Sequence, residues 1–299
     1  MLTGVQVVFI GGDARQLEII RHLAELDASV TIVGFDQLQN SFHGVVRSGL
    51  SDSLFESADA LILPAVATDD NGTINAIFGS EELKLTDKHV SLLPKRSSIY
   101  TGMAKPYLRK LSEKHQVQLV ELFDRDDVAI YNSIPTAEGA LMMAIQNTDI
   151  TIHGSHCVVL GLGRTGFTMA RSLQALGAKV KVGVRRSEHM ARAFELGFEP
   201  FYVKDLAAHV ANIDLLFNTI PTMIVTAQII ANIPNRAVII DLASSPGGTD
   251  FRFAERRGVK ALLAPGLPGI VAPKTAGRIM ANILSQLITE QAQERGNQA

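Results

Sequence analysis

His156-Cys157-Val158-Val159-Leu160-Gly161-Leu162-Gly163-Arg164-Thr165-Gly166 is a short apolar run that ends in a G-x-G-x-x-G turn. The apolar run reads as a strand buried on both faces, and Thr165–Leu176 reads as the helix that follows it. Each glycine has a physical task. Gly161 permits the tight turn, Gly163 lets a pyrophosphate approach the backbone, and Gly166 lets the helix pack closely on the strand. The helix N-terminus then offers N–H groups and a partial positive charge to phosphate oxygens. A glycine pattern alone is unspecific, but a strand before it and a helix after it is the context a dinucleotide turn requires. The rival reading is a tight strand–helix turn with no ligand. Gly161, Leu162, Gly163, Arg164, Thr165 and Gly166 are therefore cofactor-binding candidates.

The next strand, Lys179–Val184, runs into Arg185-Arg186-Ser187. A site for NAD usually carries Asp or Glu there, about twenty residues on, to hold the ribose 2′-hydroxyl. Two guanidinium forks and a hydroxyl suit a 2′-phosphate instead, and no carboxylate stands among them to repel it. The pattern predicts NADP rather than NAD, against the rival reading of Arg185 and Arg186 as a solvated surface pair. Two further strand ends belong to the same edge. Thr219, Ile220 and Pro221 follow Leu215–Asn218, and Asp241 and Leu242 close Val238–Asp241, where ligands of such sheets lie. For Asp241 a helix cap or turn is an equal alternative. The constrained loop Pro265–Gly269 either closes against the nicotinamide or is a stiff connector.

Outward from this unit the chain keeps one rhythm, apolar strands alternating with helices, which predicts parallel sheets covered on both faces. Helix Glu188–Leu196 and strands Leu215–Asn218, Val238–Asp241 and Lys260–Leu263 complete a doubly wound second half. The first half opens with strand Val5–Ile10, turn Gly11-Gly12-Asp13 and a helix through Glu25. Strands follow at Ser29–Val33, Ala60–Pro64, Ser91–Leu93, Ile99–Thr101 and Gln118–Leu122, with loop and short turns over Gln37–Asp52. A helix from about Thr136 to Asn147 places Pro135 in its first turn. The expected architecture is α/β, with two doubly wound parallel-sheet domains. Residues 1–149 form an N-terminal substrate-type domain and 150–271 a Rossmann nucleotide domain. A C-terminal helix within 272–299, about Ala272–Gln291, crosses back to the first domain, with a frayed tail over Glu294–Ala299.

Composition sets the outer limits. The 299 residues are 46% hydrophobic and 19% charged, enough apolar material for two cores. The net charge of −2 gives no basic excess for nucleic acid or a membrane surface. A single cysteine, Cys157, excludes an intramolecular disulfide and disfavours a cysteine zinc site. No leader segment or bilayer-length apolar run is read, so the expectation is a cytoplasmic protein without a metal. The eight histidines form no metal-ligand spacing, and there is no G-x-S-x-G elbow.

In the first domain Gly11-Gly12-Asp13-Ala14-Arg15 lacks the full glycine spacing, so a second dinucleotide is not expected. A helix N-terminus beside Arg15 suits a small carboxylate, and a capping role for Asp13 and Arg15 is the alternative. Lys105, in Tyr100–Pro106, and Lys274 and Arg96 are further cationic candidates. Ser133, Thr136 and Glu138, in Tyr131–Gly139, are crevice candidates; helix capping competes for Thr136 and Glu138.

Four segments together carry a family resemblance: Ile10–Gln16, Ser133–Ala140, Leu160–Gly166 and Asp241–Gly248. In this order the chain resembles the dipicolinate synthase A subunits of spore-forming bacteria over nearly its whole length. More distantly its layout is similar to formate/glycerate and alanine dehydrogenases. The resemblance implies NADP-dependent oxidation of a dihydrodipicolinate-level precursor to dipicolinate (pyridine-2,6-dicarboxylate). It also implies a flavoprotein-like partner, the B subunit of dipicolinate synthase, and a place in the mother cell during sporulation, on a branch of the lysine pathway. Such chemistry needs cations on two carboxylates, here Arg15 with Lys105 or Lys274, and a proton acceptor such as Glu138. A 2-hydroxy or 2-amino acid dehydrogenase and a non-catalytic NADP-binding protein are the alternatives, and a homo-oligomer stays open.

Overall fold

Strand β1 (Gln6–Ile10) sends Val7 and Phe9 to one side and Val8 and Ile10 to the other, and both sides are apolar. Such a strand needs helices on both faces, and the computed structural model, which describes residues 1–39 and 41–296, supplies them. After β1 come α1 (Ala14–Glu25), β2 (Ser29–Val33), β3 (Val45–Arg47), α2 (Asp52–Ser57) and β4 (Ala60–Ile62). A small antiparallel pair follows, β5 (Thr73–Ile74) and β6 (Leu83–Lys84), then α3 (Asp87–Leu92), β7 (Ser98–Thr101), α4 (Pro106–His115) and β8 (Gln118–Glu121). Among the described residues the parallel sheet has the order β3-β2-β1-β4-β7-β8, reversing direction at β1 as a doubly wound sheet does.

Helix α5 (Asp126–Asn147) leads into the second sheet: β9 (His156–Leu160), α6 (Arg164–Ala175), β10 (Lys179–Val184), α7 (Ser187–Glu195), β11 (Glu199–Tyr202), β12 (Leu215–Asn218), α8 (Ala227–Ile230), β13 (Val238–Asp241), α9 (Phe251–Arg257), β14 (Lys260–Leu263) and α10 (Leu267–Val271). Its order among the described residues is β11-β10-β9-β12-β13-β14, again all parallel. Cys157 and Val159 face one apolar layer, Val158 and Leu160 the other. The last helix, α11 (Pro273–Gly296), returns to the first sheet's unit and packs along α1, where Met280, Ala281 and Leu284 join the core of Ile19, Ile20 and Leu23.

The chain therefore divides into one unit of Met1–Val128 with the segment from Ala272 onward, and a second of Ala129–Val271. That division falls ahead of the polar stretch Asp149–Ser155. The reason is packing: Ala137, Ala140 and Ala144 of α5 lie in the core of the second sheet, and a Cβ on Gly139 would sit 3.0 Å from Leu267.

Several local expectations are corrected. Ser91–Leu93 is not a strand: Ser91 and Leu92 end α3, which is started by a capping box between Thr86 and His89. Within Gln37–Asp52, expected as loop, Val45–Arg47 pairs with β2 and α2 begins at Asp52, while Asn40 lies outside the described residues. Pro135 is interior to α5 rather than in a first turn. A proline there removes one helical hydrogen bond. The carbonyl left without that donor is Tyr131's, four residues back; the Ser133 and Thr136 hydroxyls bond to the carbonyls on either side of it, Ile130 O (2.6 Å) and Asn132 O (2.7 Å). Glu294–Gly296 are helical rather than frayed, and 297–299 lie outside the described residues.

Candidate functional site

The glycine turn after β9 behaves as its residues dictate. Gly161 adopts φ +95°, a backbone that side-chain-bearing residues rarely take. A Cβ on Gly166 would lie 2.1 Å from the Gly161 carbonyl oxygen, so only glycine brings α6 this close to β9. A Cβ on Gly163 would meet open space, with no atom of the described residues within 4 Å. Gly163 is the N-cap of α6, and no side-chain hydrogen bond caps that helix among the described residues. Its first turn carries no acid either. The turn is thus closed on the strand side and open on the side where an anion approaches.

A cavity of about 370 Å³ adjoins it, lined by Gly161, Leu162, Gly163, Arg185, Arg186, Thr219, Ile220 and Pro221, joined by Val184 and His189. Three strand ends meet there: β9, β10 and β12. Arg185 donates to Thr222 Oγ1 at 2.8 Å, and Arg186 donates to His189 Nε2 at 2.7 Å while its Nε lies 3.0 Å from Glu188. Arg186 is the N-cap of α7 and Ser187 its first residue, so the exposed Ser187 adds a helix N-terminus to the same corner. Among the described residues no carboxylate lines the cavity. His189 was not read from the sequence. Its signal was its spacing, three residues after Arg186 at a helix start, which puts both on one face.

Thr219 has a structural duty besides lining the cavity: its hydroxyl donates to Leu160 O at 2.7 Å and so ties β12 to the glycine turn. Arg164, Thr165 and Gly166 form the first turn of α6 without lining the cavity. Asp241 and Leu242 do not line it either. Asp241 is fully buried and accepts hydrogen bonds from Asn218 Nδ2, Ala243 N, Gly248 N and the Thr249 hydroxyl, between 2.6 and 3.0 Å. The turn reading of Asp241 is the one seen, and Leu242 N donates to Asn218 O in the same network.

The glycine turn of the first unit is different. Gly12 N donates to Asn75 O, Ile77 N donates to Gly12 O, and a Cβ on Gly11 would be 2.6 Å from Asn75 O. The segment between β5 and β6 fills the place a phosphate would take. Asp13 caps α1 in a capping box with Gln16, and Arg15 clasps it, Nη2 to Oδ2 at 2.6 Å. Burial pushes the Asp13 carboxyl up, but the Arg15 hydrogen bonds and charge outweigh it and leave it below its ordinary value. Gly277, one turn beyond the exposed Lys274, packs on the Arg15 carbonyl, where a Cβ would be 2.5 Å away. Arg15 and Lys274 are thus brought to neighbouring turns of α1 and α11.

Lys105 stands elsewhere in that unit. It is the N-cap of α4, 3.8 Å from Asp70, beside a cavity of about 480 Å³ that also holds Asp69, Glu81 and Glu82. In the second unit, Glu138 is exposed on α5, and the buried Ser133 shares a 2.6 Å hydrogen bond with Thr168 of α6. Among the described residues no group of His, Cys, Asp and Glu is placed to hold a metal, and no helix is long and apolar enough to cross a membrane.

Known proteins share this fold. Residues 6–123 match the family described as the N-terminal domain of dipicolinate synthase A subunits, and 128–299 match the alanine dehydrogenase/PNT C-terminal domain. The chain is 52% identical to the dipicolinate synthase A subunit of Bacillus subtilis (strain 168), over 99% of this chain and 100% of that one. A crystal structure of the dipicolinate synthase A chain from Bacillus subtilis superposes with a TM-score of 0.95 at 52% identity, covering 98% of this chain and 99% of that one. The crystal structure of its counterpart from Bacillus halodurans gives 0.94 at 52%, covering 96% and 99%. A transhydrogenase from Sinorhizobium meliloti, 17% identical with a TM-score of 0.69 and coverage of 95% and 94%, shares the fold. The α/β architecture with its nicotinamide-dinucleotide-binding second domain follows from these matches and from the sheet order.

Proposed function

From a chain that belongs to the family of dipicolinate synthase A subunits, we propose the following activity: NADP-dependent oxidation of a dihydrodipicolinate-level precursor to dipicolinate, carried out with a second, flavoprotein-like subunit. The proposed setting is the mother-cell cytoplasm during sporulation. The observation that carries the cofactor choice is the cavity beside Gly161–Gly163. Arg185, Arg186 and His189 line it, Ser187 begins the adjoining helix, and no carboxylate lies in its wall among the described residues. Two guanidinium groups and a helix N-terminus favour a dianionic 2′-phosphate and gain little from a neutral hydroxyl.

The open space at Gly163 and the uncapped start of α6 fit a pyrophosphate. Gly161–Gly166 would hold it, with Thr219, Ile220 and Pro221 flanking the nucleotide. NADP, when bound, supplies the hydride acceptor. Conversion of a dihydropyridine ring to a pyridine releases one hydride and one proton, and the gain of aromaticity drives it. The protein's tasks are then to hold two carboxylates and to accept the proton. Arg15 with Lys274, on the neighbouring turn, is the proposed pair of carboxylate partners, and Lys105 is the alternative to Lys274. Arg15 acts by exchanging the Asp13 carboxylate for that of the substrate. Glu138, exposed on α5, is the proposed proton acceptor.

The test is an assay of nucleotide reduction with the dihydropyridine substrate, with the chain alone and with its partner, on NADP and on NAD. The expected result is reduction of NADP with a preference over NAD. Activity only in the presence of the partner makes the site a shared one. NAD bound as tightly as NADP removes the cofactor assignment, and nucleotide binding without turnover under either condition leaves a binding protein instead.

A further inference from the structure

The loop after β12, residues 219–225, is fastened from beneath by buried polar groups. Asn218, fully buried, accepts from Ile220 N at 3.1 Å and donates through Nδ2 to Ile220 O at 3.1 Å and to Asp241 Oδ1 at 3.0 Å. The other oxygen of Asp241 takes the N–H of Gly248 and the hydroxyl of Thr249. Gly248 in turn lies so close to the loop that a Cβ there would be 2.4 Å from Thr222 O and 2.6 Å from Ile220 O. Its own carbonyl accepts the N–H groups of Ile224 and Val225, both at 2.9 Å. Thr222 is exposed at the surface, yet its backbone rests on this anchor.

The Thr222 hydroxyl accepts a hydrogen bond from Arg185 Nη2 at 2.8 Å. Arg185 belongs to the wall of the nucleotide cavity, on the neighbouring strand end. A free arginine loses considerable rotamer freedom when it binds an anion, and one already held in place loses less. The guanidinium keeps further N–H donors after serving Thr222, since it carries five.

We propose that Thr222 is a positioning residue for nucleotide selectivity: its hydroxyl holds the Arg185 guanidinium over the cavity for a 2′-phosphate, and the buried Asp241–Asn218 anchor holds Thr222. This rests on the NADP assignment above. The effect falls on NADP alone, because NAD presents no phosphate at that point.

The experiment is calorimetric titration of the full chain with NADP and with NAD, for the wild type, T222V, T222S, R185A and the R185A/T222V double variant. T222V keeps the size and branching of the side chain and removes only the hydroxyl. Its NADP affinity falls about tenfold, as for loss of a hydrogen bond to a charged group, and its NAD affinity is unchanged. T222S restores the wild-type ratio, and the double variant binds NADP no more weakly than R185A. An unchanged NADP-to-NAD ratio in T222V, or an equal fall for both nucleotides, overturns the role of Thr222 while R185A still lowers the ratio. A ratio that R185A does not lower overturns the NADP assignment itself.

Discussion

Gly166 lies directly beneath the carbonyl of Gly161, and a methyl group in place of its hydrogen would stand 2.1 Å from that oxygen. Gly163, three residues earlier, has nothing within 4 Å of the same position and an ordinary φ of −82°. The two glycines are therefore there for different reasons. G166A should be destabilised by about 3 kcal/mol through overpacking, because α6 must back away from β9. G163A should fold with a stability within ~0.5 kcal/mol of the wild type, yet lose roughly tenfold or more in nucleotide affinity, since its methyl group enters the space proposed for the pyrophosphate. Thermal unfolding and a nucleotide titration on both variants separate the two. A G163A variant with undiminished affinity would place the phosphates elsewhere.

The contrast explains what could be read in advance. Five strands of the second sheet were legible because each is a short apolar run bounded by polar turns: Leu215–Asn218, Val238–Asp241 and Lys260–Leu263 lie where those runs stand, whereas the edge strand Glu199–Tyr202, which carries a charge and Pro200, offers no such run. Arg185 and Arg186 were legible because a strand end fixes where the following residues lie. Val45–Arg47 was not, since a three-residue edge strand with two exposed side chains has neither length nor periodicity. The start of α5 was hidden by Pro135, whose usual meaning is a first turn, whereas here it stands inside the helix. The pairing of Arg15 with Asp13, two residues away, was open to either reading; the plug of Asn75–Ile77 in the first glycine turn is a contact across more than sixty positions and left no local trace.

The junction of α1 with α11 should carry a pH dependence through Glu18. Burial pushes its carboxyl up, but hydrogen bonds and charges from Arg21 and Arg278 outweigh that and hold it below its ordinary value. A folded-state pKa below the unfolded one means stability that is complete above the unfolded value, about 4.3, and is lost as pH falls through the folded value. The urea midpoint should hold near neutrality and drop as the pH falls through about 4.3 and below. E18Q should be less stable than the wild type by about 1 kcal/mol near neutrality, a modest figure because both arginines are largely in solvent, and its acid-side slope should be shallower. An E18Q slope equal to the wild type's would assign the acid sensitivity to other carboxylates.

Cys157 should be silent toward thiol reagents while the chain is folded. It sits in β9 under the second sheet's core, and burial pushes the thiol up to about 11, the Ser155 hydrogen bond opposing only in part. At pH 8 the thiolate would be roughly one part in a thousand, and even that fraction is covered. An aromatic disulfide reagent should therefore titrate no thiol in native protein and one in guanidinium chloride. Rapid reaction of the native chain would show that β9 opens locally, which its central place in the sheet argues against.

Asp241 gives the sharpest test of a residue that shapes the nucleotide site without touching it. All four of its neighbours donate: Asn218 Nδ2 and Ala243 N to one oxygen, Gly248 N and the Thr249 hydroxyl to the other. An asparagine is nearly the same shape but has one oxygen. Whichever way its amide turns, an NH2 group meets at least one backbone N–H head-on, and a buried donor goes unanswered. D241N should therefore lose roughly 3 kcal/mol of stability, more than the usual surface substitution by a wide margin. It should also weaken nucleotide binding, because the loop that carries Ile220, Pro221 and Thr222 rests on Gly248 and Asn218. Both effects should appear together, in unfolding midpoints and in titrations, although Asp241 itself does not line the cavity. A D241N protein as stable as the wild type would mean that these donors do not depend on the carboxylate, and the loop would then need another anchor.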